Sequence, residues 1–110
     1  AEGNKVIGTQ RVPDAHAGGI KVFGAPVTPV KGNGYYSPDH EAGRVALNDW
    51  IRTGGVFDGV IDFDRMVADP ANPDRLDPAF LYENDWLHLN ASGYEKMGFG
   101  IDRNLFKSAK

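Results

Sequence analysis

Apolar residues along this chain recur with two different periods, and the alternation between them sets out the expected elements. Ile20-Lys21-Val22-Phe23-Gly24 is a short β-rich run that follows the helix-stopping pair Gly18-Gly19 and is closed by glycine, so it reads as a buried strand. The segment Gln10–Ala17 before it reads as a helix with His16 near its end. Pro13 limits that helix: either Thr9 caps it and Pro13 sits near its first turn, or it bends at Pro13. Gly3 and Gly8 leave residues 1–8 weakly specified. From Ala25 to Tyr36 the chain is rich in Pro and Gly, and a loop is expected at the C-terminal edge of the strand, where open α/β sheets place ligands.

Ser37-Pro38 opens the clearest helix, with serine as N-cap, proline at the first helical position and Asp39 and Glu41 close behind. Its expected apolar face is Ala46, Leu47, Trp50 and Ile51; Arg52 suits the last turn, and Gly54-Gly55 ends it. Gly59-Val60-Ile61-Asp62-Phe63 reads as a second buried strand. Strand, helix and strand make one βαβ unit, so residues 20–24 and 59–63 are expected to pair in parallel across a right-handed connection through the 38–53 helix. Residues 69–85 form a long irregular stretch with Pro70, Pro73 and Pro78, a length that marks functional or disordered loops. A last helix is expected from about Ala91, capped by Asn90, with Tyr94, Met97, Ile101 and Leu105 on one face. Gly98 and Gly100 weaken it by roughly 1 kcal/mol each.

Two parallel strands cannot cover both faces of a sheet with what this pattern provides, because parallel sheets carry helices on each side. The chain therefore reads as the end of a doubly wound α/β fold whose other strands lie elsewhere, with an uncovered edge that invites dimerisation or a companion segment. At 110 residues it is one small domain or a piece of one. It begins at Ala1 rather than Met, in keeping with processing, cloning or truncation. A net charge of −3 provides no footprint for nucleic acid. Seven of the fifteen acidic residues lie between Asp62 and Asp85, so that stretch is distinctly acidic. The absence of cysteine removes disulfides and thiolate metal sites, and no apolar run reaches membrane-spanning length.

The most informative string is Glu83-Asn84-Asp85-Trp86-Leu87-His88-Leu89-Asn90. A carboxylate and an imidazole three apart can meet in a tight turn; the carboxylate then accepts a hydrogen bond from Nδ1–H, fixes the tautomer and leaves Nε2 free as a general base. By itself D-x-x-H is a weak signal, and a surface aspartate near a loop histidine is the ordinary explanation. Other candidates are weaker still. Asp62 and Asp64 form a D-x-D that could hold a divalent metal, or could cap a turn; with His88 they suggest a metal-dependent phosphatase, but further ligands at suitable spacing are lacking. His16 reads as packing or capping and His40 as solvated. Trp86 could wall an acyl pocket or serve the core, and Tyr35 and Tyr36 could line a cleft or anchor packing.

The wider context of D-x-x-H carries a resemblance. DWLHLNASGYEKM is similar to the last sequence block of GDSL-type (SGNH) ester hydrolases, and GIKVFGAPVTPV with GYYSPDHEAGRVALNDWIRTGGVFDGVIDFD resembles the strand, loop, helix and strand before it. The resemblance covers about residues 10–107. It implies that residues 1–110 are the C-terminal part of one flavodoxin-like three-layer α/β/α domain, with Asp85 and His88 as acid and base of a Ser-His-Asp triad. The family's nucleophile lies in an N-terminal G-D-S block, with a glycine and an asparagine from two further blocks in the oxyanion hole. None of these has a counterpart here: Ser37, Ser92 and Ser108 are outside any G-D-S context, and Asn33 is outside G-x-N-D and reads as a turn residue. The implied activity is hydrolysis of a small acyl ester, carbohydrate esters included, without a cofactor. The rest of the site would come from a missing N-terminal segment or a second chain, and these 110 residues alone would be nearly inert. A secreted or periplasmic location is favoured by the same resemblance. The alternative is a non-catalytic remnant or interaction module derived from such a hydrolase.

Overall fold

A computed structural model describes residues 2–107. Helix α1 spans Glu2–Ala17, strand β1 Phe23–Gly24, helix α2 Pro38–Thr53, strand β2 Gly59–Val60, helix α3 Phe63–Val67 and helix α4 Ala91–Phe99. Two 3₁₀ turns, Pro78–Phe80 and Arg103–Phe106, complete the described elements. The result is a mixed helix and strand domain built on a two-stranded parallel sheet, with Phe23 opposite Gly59 and Gly24 opposite Val60.

Both strands are shorter than the sequence pattern suggests, for physical reasons at their ends. Ahead of β1, Ile20 donates its N–H back to Ala15 O at 2.9 Å, so the chain is still leaving α1 there. Pairing extends one step each way through Asp58 N to Val22 O and Ile61 N to Gly24 O. After Val60 the expected strand residues Asp62 and Phe63 turn into α3, with the Asp62 side chain accepting from Arg65 N as N-cap. The glycine ending β1 is required by close approach: a Cβ at Gly24 would stand 2.6 Å from the Phe57 ring and 2.8 Å from Ile51.

Helix α2 starts as expected: Ser37 Oγ accepts from His40 N and Pro38 occupies the first turn. Its buried face is Leu47, Asn48 and Ile51; Trp50 is only half-buried and Ala46 is exposed. Asn48 displaces Ala46 from that face because it binds main chain. Its Oδ1 accepts from Val27 N at 2.7 Å and its Nδ2 donates to Val27 O at 2.9 Å, which pins the loop that leaves β1. Helix α1 runs straight through Thr9 and carries Pro13 inside it, so Thr9 is not its cap. Val12 is its buried residue, while Val6 and Ile7 are exposed. His16 Nε2 meets Asp58 Oδ2 at 2.7 Å and Asp58 also accepts from Val22 N, which ties the end of α1 to both strands.

The densest core lies under the stretch expected to be irregular. Val67, Leu76, Leu81 and Leu89 are buried together, with Met66, Phe80, Trp86 and Met97 packed against them. Single antiparallel bridges, Ala68 with Leu76 and Leu81 with Leu89, hold this segment where longer strands are absent. Helix α4 ends at Phe99 with Gly100 as C-cap, so Ile101 and Leu105 are not on its face as the sequence suggests; Leu105 belongs to the following 3₁₀ turn. Tyr94 is exposed.

Asp64, buried at 8% exposure, joins these parts. Arg44 reaches its Oδ1 and Arg52 its Oδ2, both at 2.8 Å. Asp64→Ala is expected to destabilise the chain by about 3–5 kcal/mol, because two arginines lose a buried partner. Asp49→Ala, at an exposed carboxylate 3.8 Å from Arg52, should stay within about 0.5 kcal/mol. Urea unfolding of the two variants beside the parent chain measures both.

Candidate active site

The bridge between Leu81 and Leu89 closes a loop over residues 82–88, and Tyr82 N donating to His88 O at 3.0 Å draws its ends together. Both leucines are core residues, so burial holds the base of the loop. Closing so short a loop demands unusual backbone. Glu83, Asn84 and Trp86 adopt left-handed φ values of 46°, 60° and 57°. For a side chain as bulky as tryptophan this conformation costs about 1–2 kcal/mol, so it persists only where surrounding contacts impose it.

Within the loop the Asp85 carboxylate makes three hydrogen bonds. Oδ1 accepts from the N–H groups of Leu87 and His88, each at 2.9 Å, and Oδ2 accepts from His88 Nδ1 at 2.6 Å. A carboxylate on Nδ1 selects the tautomer with its proton there, leaving Nε2 with a lone pair. The His88 side chain is 63% exposed, so that nitrogen is accessible to a reacting group. Asp85 is held below the usual carboxylate range, first by the Leu87 N–H, then by the His88 N–H and the His88 ring.

Residues from two other segments secure Trp86 and Asp85. A Cβ at Gly32, itself at φ 103°, would come 2.6 Å from the Trp86 ring, so the indole lies flush against that backbone. The Arg75 guanidinium sits 5.3 Å from the indole centroid while its Nε donates to Asp69 at 3.0 Å. Asn33 Nδ2 donates to Asp85 O at 2.8 Å. Lys31 ties the same loop to Asp74, through Nζ to the carboxylate and through its N–H to the carbonyl. A cleft of about 280 Å³ opens beside this wall, lined by Lys31, Gly32, Asn72, Asp74, Arg75 and Trp86. Neither Gly32 nor Asn33 stood out in the sequence as a neighbour of Asp85, since 52 positions separate Asn33 from it.

The remaining candidates are placed elsewhere. Asp62 and Asp64 are engaged by Arg52 and Arg44, and no group of metal-binding side chains occurs among the described residues. Burial works to raise Asp62, but Arg52 and the Arg65 N–H outweigh it and hold the carboxyl low. His16 is paired with Asp58, and His40 Nδ1 with the Tyr35 carbonyl at 2.8 Å. Tyr35 is exposed, and Tyr36 is half-buried with Lys31 Nζ 5.7 Å from its ring. Ser37 Oγ is used as the α2 cap and Ser92 is exposed on the first turn of α4; neither is bonded to His88. Ser108 lies outside the described residues. No helix among the described residues is long and apolar enough to cross a membrane.

Because Asp85 is shifted downward, its bonds to the two amides and the imidazole contribute stability above the unfolded carboxyl's pKa, and that contribution is lost as pH falls through the lower folded value. Carbon-detected NMR of the Asp85 carboxyl should show its titration below the ordinary aspartate range. A normal or raised midpoint would remove the three-bond picture of this carboxylate.

No protein-family model matches this chain, and no curated protein matches it.

Proposed function

We propose that this chain supplies the acid and base of a carboxylic ester hydrolase acting through a Ser-His-Asp triad, with Asp85 orienting and His88 accepting the proton. The observation that carries the reading is the 2.6 Å bond from His88 Nδ1 to Asp85 Oδ2, in a loop that leaves the imidazole exposed. The similarity of DWLHLNASGYEKM and the preceding segments to GDSL-type hydrolases supports it, as does the parallel pairing of β1 and β2 around α2. In this reading the domain is the C-terminal part of a flavodoxin-like three-layer fold. The serine nucleophile and the oxyanion donors come from polypeptide outside these 110 residues.

The chemistry is acyl transfer. The serine hydroxyl attacks an ester carbonyl as His88 Nε2 takes its proton, and Asp85 stabilises the resulting imidazolium without itself becoming protonated. The imidazolium returns the proton to the leaving alcohol. Water, activated by the same nitrogen, then releases the acyl group. The substrate is a small acyl ester, and carbohydrate esters fall within that class. No step calls on a cofactor.

The natural polypeptide that carries this sequence should be labelled by a fluorophosphonate on a serine outside these 110 residues. His88→Ala should lower that labelling rate roughly a thousandfold or more, because triad members act as a unit. Labelling at Ser37 or Ser92, or a rate indifferent to His88, would defeat the proposal.

The 110-residue chain alone should show no His88-dependent hydrolysis of a short-chain aryl ester. Substantial turnover that disappears in His88→Ala would mean that a nucleophile resides within these residues.

A further inference from the structure

We infer that Asn33 is a positioning residue for the acid–base pair, holding the Asp85 main chain so that its carboxylate faces the His88 imidazole; this rests on the triad reading of that pair. Asn33 Nδ2 donates to the Asp85 carbonyl at 2.8 Å. That carbonyl shares a peptide plane with the Trp86 nitrogen. A rotation of this plane changes the Asp85 ψ and the Trp86 φ together, and Trp86 is the residue held at +57°. Release of the carbonyl lets Trp86 relax toward ordinary negative φ. Where the two torsion changes do not cancel, the chain after the plane tilts, and the Leu87 and His88 N–H groups shift relative to the Asp85 Oδ1 that they hold.

The Asn33 side chain is itself fixed, which is what an anchor requires. Its Oδ1 accepts from Tyr35 N at 3.0 Å, and this settles which end of the amide faces Asp85. Its own N–H donates to Val30 O and its C=O accepts from Tyr36 N, both at 3.0 Å. An asparagine serving its turn alone has no use for the Nδ2 protons; here they leave the turn and reach the catalytic loop. Gly32, one residue earlier, brings the backbone flush with the indole, so the Asn33 loop and the Asp85 loop are in direct contact beside the anchor.

The test uses the 110-residue chain and reads the His88 tautomer at neutral pH from its ring ¹⁵N resonances, together with the low-field Nδ1–H proton. In the unaltered chain the Nδ1–H form should dominate. Asn33→Asp keeps an oxygen for Tyr35 N–H but removes the donor to Asp85. It should reduce the Nδ1–H to Nε2–H ratio by about fivefold, the factor of one net hydrogen bond. The Tyr35 amide proton should stay protected from solvent exchange, which separates this effect from collapse of the loop. An Asn33→Asp chain that keeps the parent ratio overturns the positioning role. A parent chain lacking the Nδ1–H form overturns the triad reading instead, so the two failures are distinct. Should Asn33→Asp fail to fold, Asn33→Ser carries the same expectation. Should both fail, solvent exchange of the Asn33 Nδ2 protons in the parent decides: slow exchange supports the anchor and free exchange overturns it.

Discussion

A carboxylate almost closed off from water, Asp64, sits between the guanidinium groups of Arg44 and Arg52, and the packing of this domain is organised around it. Isolated burial of such a charge is prohibitive, so its two partners must be present and well placed. Both arginines lie on α2, and the aspartate lies in α3, just past β2. The same arginines reach further. Arg44 also donates to the Val27 carbonyl at 3.0 Å and binds Glu41, while Arg52 grips both oxygens of Asp62. One network thereby sets α2 against the loop after β1 and against the turn after β2. Two-residue strands could not fix those positions by their own hydrogen bonds.

The polypeptide beyond α3 depends on that placement. Val67 enters the core from α3, and Leu76, Leu81 and Leu89 close around it from a segment with little regular structure. Large apolar side chains at the feet of a loop do here what a β-ladder does in a wider sheet. The stability gained from their burial supports an unfavourable backbone at Glu83, Asn84 and Trp86. The strained residues and the candidate catalytic pair occupy the same seven positions, 82–88, and the geometry explains why. Asp85 can reach two following amides and the His88 ring only if the chain doubles back within three residues.

The proposed chemistry uses that compactness directly. A histidine base needs its tautomer fixed and its ring immobilised, yet its second nitrogen exposed. Local hydrogen bonding meets the first two requirements, and the position of His88 at the rim of a core-anchored loop meets the third. Support for the loop is drawn from a distant segment, residues 31–33, and from Arg75 over the indole. With these braces the Asp85–His88 pair is held in one geometry by the fold itself.

Features that depend on near neighbours were legible in the amino-acid sequence. The Ser37-Pro38 start of α2, the Asn90 cap of α4 and the proximity of Asp85 to His88 all involve groups within three residues of one another, where the covalent chain supplies the closeness. The parallel relation of β1 and β2 was legible too, since an intervening helix leaves few other arrangements. Only the tertiary structure decided where strands stop, because Asp62 is drawn from the expected strand into a cap that Arg52 reinforces. It likewise placed Asn48 rather than Ala46 on the buried face of α2, since the Asn48 amide finds both its partners on the Val27 main chain, which periodicity cannot foresee. The core under residues 66–89, the pairing of Asp64 with two arginines and the reach of Asn33 to Asp85 were equally hidden. Each joins groups far apart in sequence, and such contacts are chosen by packing and burial rather than by any local pattern of residues.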